Sequence, residues 1–272
     1  MLTSKLGEET VQNREQAFVS DENFVFEALA RLHARACQIS GEVYTLLESG
    51  HADGAHARWR ALHEIAVVAY FIKQKGEETA ERFLDYRHLE DYYEARNYQD
   101  QHEVLGYEPL SKEKLDVLEE NRDTLVGRYG PPFDDEGYGY GWAAHHFDNK
   151  SASFGRLEKE VDLDHLSPFY KMASNSVHAG SKGTKHRLGL LDQDTQPLLA
   201  GPTNYGLADP AQLTAISLNQ VTTAFLLLDP SAKELIRTMG LQRLVTEICT
   251  AFTETQFQIE REELGERLVD TL

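Results

Sequence analysis

Groups that hold anions or move protons are concentrated in the stretch Arg60-Ala-Leu-His63-Glu64. On a helix, Arg60 and Glu64 lie one turn apart on the same side, with His63 beside them. The stripe continues into Val67 and Phe71, which belong to an apolar run, so a charged pair stands where the helix enters a core. Charges there are costly unless paired and hydrogen-bonded. A guanidinium fork beside a carboxylate can grip an anion or pass a proton, which makes Arg60 and Glu64 candidate catalytic groups. The same residues would equally serve as an ion pair tying this helix to its neighbours.

A second constellation is Tyr170-Lys-Met-Ala-Ser174-Asn-Ser-Val-His178. Its Tyr170, Ser174 and His178 repeat at i, i+4 and i+8, which aligns three hydrogen-bonding groups on one helical stripe. Leu166, Phe169, Ala173 and Val177 form the packing stripe beside it. A histidine near a helix C-terminus has its charged form favoured by the dipole and can act as a general acid or base. The next residues, GSKGTKHR, bring Lys182, Lys185, His186 and Arg187 into a glycine-bearing basic segment. Lys182, Lys185 and Arg187 are candidate phosphate-binding groups, as are Tyr170, Ser174 and Tyr86 for a ligand in the same cleft. The plainer alternative is a helix cap followed by a loop.

Metal chemistry finds little support. His145-His146-Phe-Asp148 places adjacent histidines in different directions, and no pair has the helical spacing of a zinc or di-iron site. There is no phosphate loop, zinc quartet or nucleophile elbow. The chain is therefore expected to need no cofactor and no metal. The run GYGYGW before the histidines reads as an aromatic turn packed by Trp142.

The elements that must position these groups are helices. Phe24, Ala28, Leu32, Ala36 and Ile39 recur at helical spacing, with Asp21 as the expected cap of a helix reaching Gly50. A helix over 53–75 is amphipathic at first and apolar on every face beyond Glu64, which predicts a central, buried helix. Residues 77–101, dense in tyrosine, form another, and 112–128, capped by Ser111, one more. Loop composition follows, with a short helix after Asn149, then helices over 167–179, with Pro168 in the first turn, 210–228 and 231–264, the last two separated by Pro230. The apolar runs LGLL and PLLA around DQDTQ suggest a small β-hairpin near 186–200. The expected fold is all-α: a multi-helix bundle in one domain over 21–264, with a flexible acidic arm at 1–20 and a tail at 265–272.

Composition narrows the function classes. With 27 basic and 45 acidic side chains the net charge is −18, which opposes broad contact with nucleic acid or anionic membrane. Two distant cysteines, Cys37 and Cys249, point to a reducing compartment. The N-terminal residues lack the apolar core of a signal peptide, and the longest apolar run, 65–72, is far short of a membrane span. A cytoplasmic protein without membrane contact is expected.

RWRALHEIAVVAYFI, ERFLDYRHLEDYYEARNY, a GW pair and FYKMASNSVHAG, in that order, resemble the bacterial domain-of-unknown-function family 5677 over roughly residues 25–190. The positions that recur in it look like Arg60, Glu64, Tyr86, Trp142, Tyr170, Ser174 and His178. That resemblance implies no activity. A looser one, to the HEPN superfamily of helical bundles, implies a metal-independent ribonuclease of a stress or phage-defence system. Such proteins use an arginine four to six residues before a histidine on one helix. Here Lys171 or Asn175 precedes His178, and Arg60 would supply the guanidinium from another helix. The first expectation is thus a module that binds a partner protein or small anion in a cleft of Arg60, Glu64, Tyr86, Tyr170 and His178. RNA cleavage is the alternative, although the net charge disfavours RNA. Either reading is compatible with a homo-oligomer.

Overall fold

The structure is a computed structural model that describes residues 2–15, 23–135, 139–148, 151–191 and 198–270, with backbone alone for 13–15 and 264–270. Its helices are α1 (Leu2–Glu15), α2 (Phe24–Glu48), α3 (Ala52–Lys75), α4 (Glu77–Leu105), α5 (Lys112–Tyr129), α6 (Phe154–Glu160), α7 (Ser167–Val177), α8 (Ser181–Lys185), α9 (Ala208–Leu226) and α10 (Ala232–Asp270). Short 3-10 turns occur at Pro131–Phe133, Gly141–Phe147 and Asp164–Leu166. The described residues contain no strand, so the fold is all-α. Among them, too, no helix is long and apolar enough to cross a membrane.

Local signals account for most boundaries. Ser111 sits in extended conformation and its hydroxyl accepts from the Lys114 N–H, capping α5. Ser231 does the same for α10 through the Glu234 N–H. Gly76 adopts φ 84°, ends α3 and begins α4. The expected cap Asp21 lies outside the described residues; Asn23 Oδ1 accepts from the Phe26 N–H at 2.8 Å at the start of α2.

Contacts group the chain into two compact units. The first comprises Met1–Asp21, Leu29–Tyr70 and Leu163–Leu272. Its core gathers Ile39 and Val43 of α2, Trp59, Leu62 and Ala66 of α3, Ala173 of α7, and Leu213 and Val221 of α9. Each such side chain, fully buried, contributes roughly 1.5–3 kcal/mol if it is as large as Val or Leu. The Trp59 indole N–H donates to Ser217 Oγ at 3.0 Å, so the largest core side chain is also polar-satisfied. α9 packs along α10.

Residues 2–15, expected as a loose arm, form α1, which packs on α9. The physical reason is Gly7, whose missing side chain lets the helix settle on a buried ring. A Cβ there would stand 2.6 Å from His33 Cε1 and Nδ1.

The hairpin expected near 186–200 is absent among the described residues: 186–191 and 198–200 are turn and coil, and 192–197 lie outside them. The LGLL backbone is satisfied in other ways. Leu188 N–H donates to Asp53 Oδ1 at 3.1 Å, and Leu190 N–H to the Arg187 carbonyl at 3.2 Å.

The second unit comprises Glu22–Ala28 and Phe71–Asp162. Phe71 and Phe83 meet Trp142 edge-on at 5.7 and 5.2 Å, and Tyr86 meets Phe133 in the same way at 5.3 Å. Gly141 is required by close approach, since a Cβ there would fall 2.1 Å from the Phe133 carbonyl oxygen. The GYGYGW run thus ends in a packed aromatic turn. α3 is buried at Ala66, Val67, Val68 and Ala69 and again at Phe71 and Ile72, as its all-apolar second half required.

Candidate functional site

Arg60 and Glu64 face α7. Arg60 Nε donates to Ser174 Oγ at 3.1 Å, a terminal guanidinium nitrogen donates to the Tyr170 hydroxyl, and the same nitrogen stands 3.0 Å from Glu64 Oε1. The Tyr170 hydroxyl donates in turn to Glu64 Oε1, and the Ser174 hydroxyl to the Tyr170 carbonyl at 2.9 Å. Two stripes predicted on separate helices therefore meet in one circuit. Its charged side chains are only 28% and 29% exposed, so the pair is partly desolvated and its hydrogen bonds gain strength. Guanidinium and carboxylate neutralise each other here, and the geometry is that of a brace between α3 and α7.

Behind the brace lies a ring series. His56 stacks on Trp59 at 5.4 Å, Trp59 on His63 at 5.4 Å, and His63 meets the Tyr170 ring at 5.9 Å. His63 is fully buried beneath Tyr170. Burial pushes the His56 imidazole down to about 4, so it is neutral at pH 7.

His178 departs from the predicted stripe. α7 ends at Val177, and His178 takes φ −104° and ψ 147°, its N–H donating to the Ser174 carbonyl at 3.1 Å. It is exposed. It lines an open hollow of about 470 Å³ together with Asn175, Ser176, Gly183, Thr184 and Arg187, among others. Gly183 makes this hollow: a Cβ there would fall 1.9 Å from the Asn175 carbonyl oxygen, so only glycine lets α8 rest against the end of α7. Lys182 and Lys185 are exposed on α8 but are not part of the lining. Arg187 Nε stands 3.8 Å from Asp53 Oδ2, beyond hydrogen-bond reach but near enough for attraction.

Tyr86 belongs to the second unit, where its hydroxyl donates to the Asp135 carbonyl at 2.8 Å. Burial pushes its phenol well above the ordinary range. His145 and His146 lie in the same unit with ring centroids 3.8 Å apart, and His146 Nε2 is 2.7 Å from Thr79 Oγ1. The described residues contain no group of three or more His, Cys, Asp or Glu placed to hold a metal ion.

Thus Arg60, Glu64, Tyr170 and Ser174 are brought together, and His178 and Arg187, just past the ends of α7 and α8, share a hollow. Asp53 and Thr184 were missed by the sequence reading. Asp53 carries no local signal, because its contact with Leu188 spans 135 residues; Thr184 lay inside a segment read for its cations alone.

A family model described as a family of unknown function (DUF5677) matches residues 26–196. Comparison with curated proteins and with solved structures finds no match. The matched span is more than half of the chain and contains the brace and every residue named in the hollow up to Arg187. The chain belongs to the DUF5677 family.

Proposed function

We propose that this chain binds a small anionic ligand, one bearing a phosphate or carboxylate, in the hollow between α7 and α8, with His178 and Arg187 holding it. The observation that carries this reading is their convergence with Asn175, Ser176 and Thr184 on one open hollow of about 470 Å³. Small-molecule sites are commonly about 300–1,000 Å³. Lys182 and Lys185 add positive potential at the rim of an otherwise acidic chain. The circuit of Arg60, Glu64, Tyr170 and Ser174 fixes the α7 wall rather than touching the ligand. Tyr86 has no part in this reading.

Calorimetric titration with inorganic phosphate and with a nucleoside monophosphate tests it, on the wild type and on Arg187→Gln and His178→Asn. A charge-assisted hydrogen bond is worth roughly 1.5–3 kcal/mol, so Arg187→Gln should weaken binding about ten- to a hundredfold. The absence of wild-type binding, or binding unchanged in both variants, removes the proposal.

One observation favours a second reading, metal-independent RNA cleavage: His178 is exposed on the wall of this hollow. It would serve as general acid or base, with Lys182, Lys185 and Arg187 on the phosphate backbone. Arg60 would stabilise developing charge only by exchanging Glu64 for phosphate. Cleavage of a mixed RNA pool in EDTA by the wild type, absent in an equally stable His178→Ala, is the expected result on that reading.

A further inference from the structure

The hairpin of α4 and α5 carries an uncovered surface. From residue 90 to residue 130 no side chain is buried, and α5 has none along its whole length. Helices draw most of their stability from packing an apolar face, and two helices packed mainly on each other leave much of that face open. Here the open part is concentrated at the tip. Val104 is 85% exposed, and Leu105, Tyr107 and Val117 are each more than half exposed.

The tip is nonetheless a defined shape. Leu110 N–H donates to Gln99 Oε1 at 2.9 Å, and the Tyr98 hydroxyl to the Glu108 carbonyl at the same distance. The Tyr107 ring lies parallel to Tyr98, 6.2 Å away. Exposed apolar side chains gathered at one place, rather than scattered singly, are the usual feature of an interaction site.

Charge says what fits it. Residues 91–123 carry ten carboxylates and four cations. Of those ten, among the described residues, only Asp123 is in a salt bridge, at 2.7 Å from Arg122. Arg122 is bonded to Asp134 as well, and Arg96 donates to the Tyr92 hydroxyl. The hairpin therefore carries nine carboxylates that are in no salt bridge, against Arg96, Lys112 and Lys114, so its net charge is strongly negative. The same face of a second copy, a nucleic acid or an anionic membrane would each meet like charge.

We propose that the α4–α5 hairpin docks a basic amphipathic helix of a partner protein, its apolar face on Val104, Leu105, Tyr107 and Val117 and its cations on the flanking carboxylates. This surface is separate from the α7–α8 hollow, and neither depends on the other.

The test is fluorescence anisotropy of a labelled amphipathic Lys/Leu helical peptide and of a scrambled peptide of equal composition, added to the full chain. The wild type is expected to bind the amphipathic peptide about tenfold more tightly than the scrambled one. Binding should weaken between about 0.01 M and about 0.15 M salt, as the screening length falls from about 30 to about 8 Å. The pair Val104→Ser/Leu105→Ser and the pair Glu103→Lys/Glu108→Lys alter exposed side chains, and circular dichroism should show both folded. Each is expected to weaken binding about tenfold, the lysine pair also flattening the salt dependence. Equal binding of the two peptides, or no effect of the serine pair, overturns the proposal. So does a dimer in sedimentation that the serine pair dissociates, which would make the occupant a second copy.

Discussion

The Tyr170 hydroxyl accepts from Arg60 and donates to Glu64, while its ring packs over His63. Tyr170→Phe keeps the ring and deletes both bonds. Hydrogen bonds to charged groups are worth more than neutral ones, but this brace is over a quarter exposed, so a loss of about 1–2 kcal/mol in urea unfolding is expected. A loss below a few tenths would mean that the brace is solvent-compensated. His33 and His56, each held down to about 4 by burial, contribute to the acid limb of stability, as does His145. All three are neutral when folded, whereas an unfolded histidine titrates near 6.5. Their stabilising contribution is whole above about pH 6.5 and is lost as pH falls towards 4. Unfolding free energy should therefore decline between these values, and His56→Phe should flatten the decline. At this scale the sequence was informative about identity and weak on partners. Arg60, Glu64, Tyr170 and Ser174 could be named from spacing, yet that they join into one circuit depends on contacts across more than a hundred residues.

Helix α8 rests on α7 only because residue 183 is glycine, and this makes an element-scale test. Gly183→Ala should displace α8, abolish phosphate binding in the calorimetric titration, and leave far-UV circular dichroism nearly unchanged, because only five residues are in that helix. Asp53→Asn should act in the opposite direction. It retains an oxygen that can accept from Leu188 N–H while removing the charge that competes for Arg187, so phosphate should bind several-fold more tightly. Phosphate binding unaltered by both changes would detach the hollow from anion recognition. The long helices were readable because their apolar residues repeat every three or four positions and their ends carry Ser111, Ser231, Gly76 or Pro168. α1 was not, because its docking depends on the absence of a side chain at Gly7 rather than on an apolar stripe. The misread end of α7 had a chemical consequence, since a helix that stops at Val177 rather than 179 takes His178 off the Tyr170–Ser174 stripe and into the hollow.

At the scale of the molecule, a charge of −18 sets long polyanions apart from small ones. Heparin, which must span the acidic surface, should show no measurable binding at low salt by the same calorimetry in which inorganic phosphate binds. Strong heparin binding would instead favour the nucleic-acid reading. The division into two units was illegible in the sequence because the first is discontinuous: no linker marks a boundary when a unit is interrupted and resumed. That interruption governs the order in which the protein can be completed on the ribosome. Trp59 finds its hydrogen-bond partner Ser217 only after 158 further residues have been added. At about 5–20 residues per second this is roughly 8–30 s of synthesis. Throughout that interval the apolar side chains of α3 destined for the first unit wait without the α9 residues that will cover them, and residues 71–162, most of the second unit, are completed before α9 begins. The nascent chain is thus most vulnerable to aggregation over α2 and α3, and truncated translation products ending before α9 should be captured by chaperones far more than the chain carried through α10.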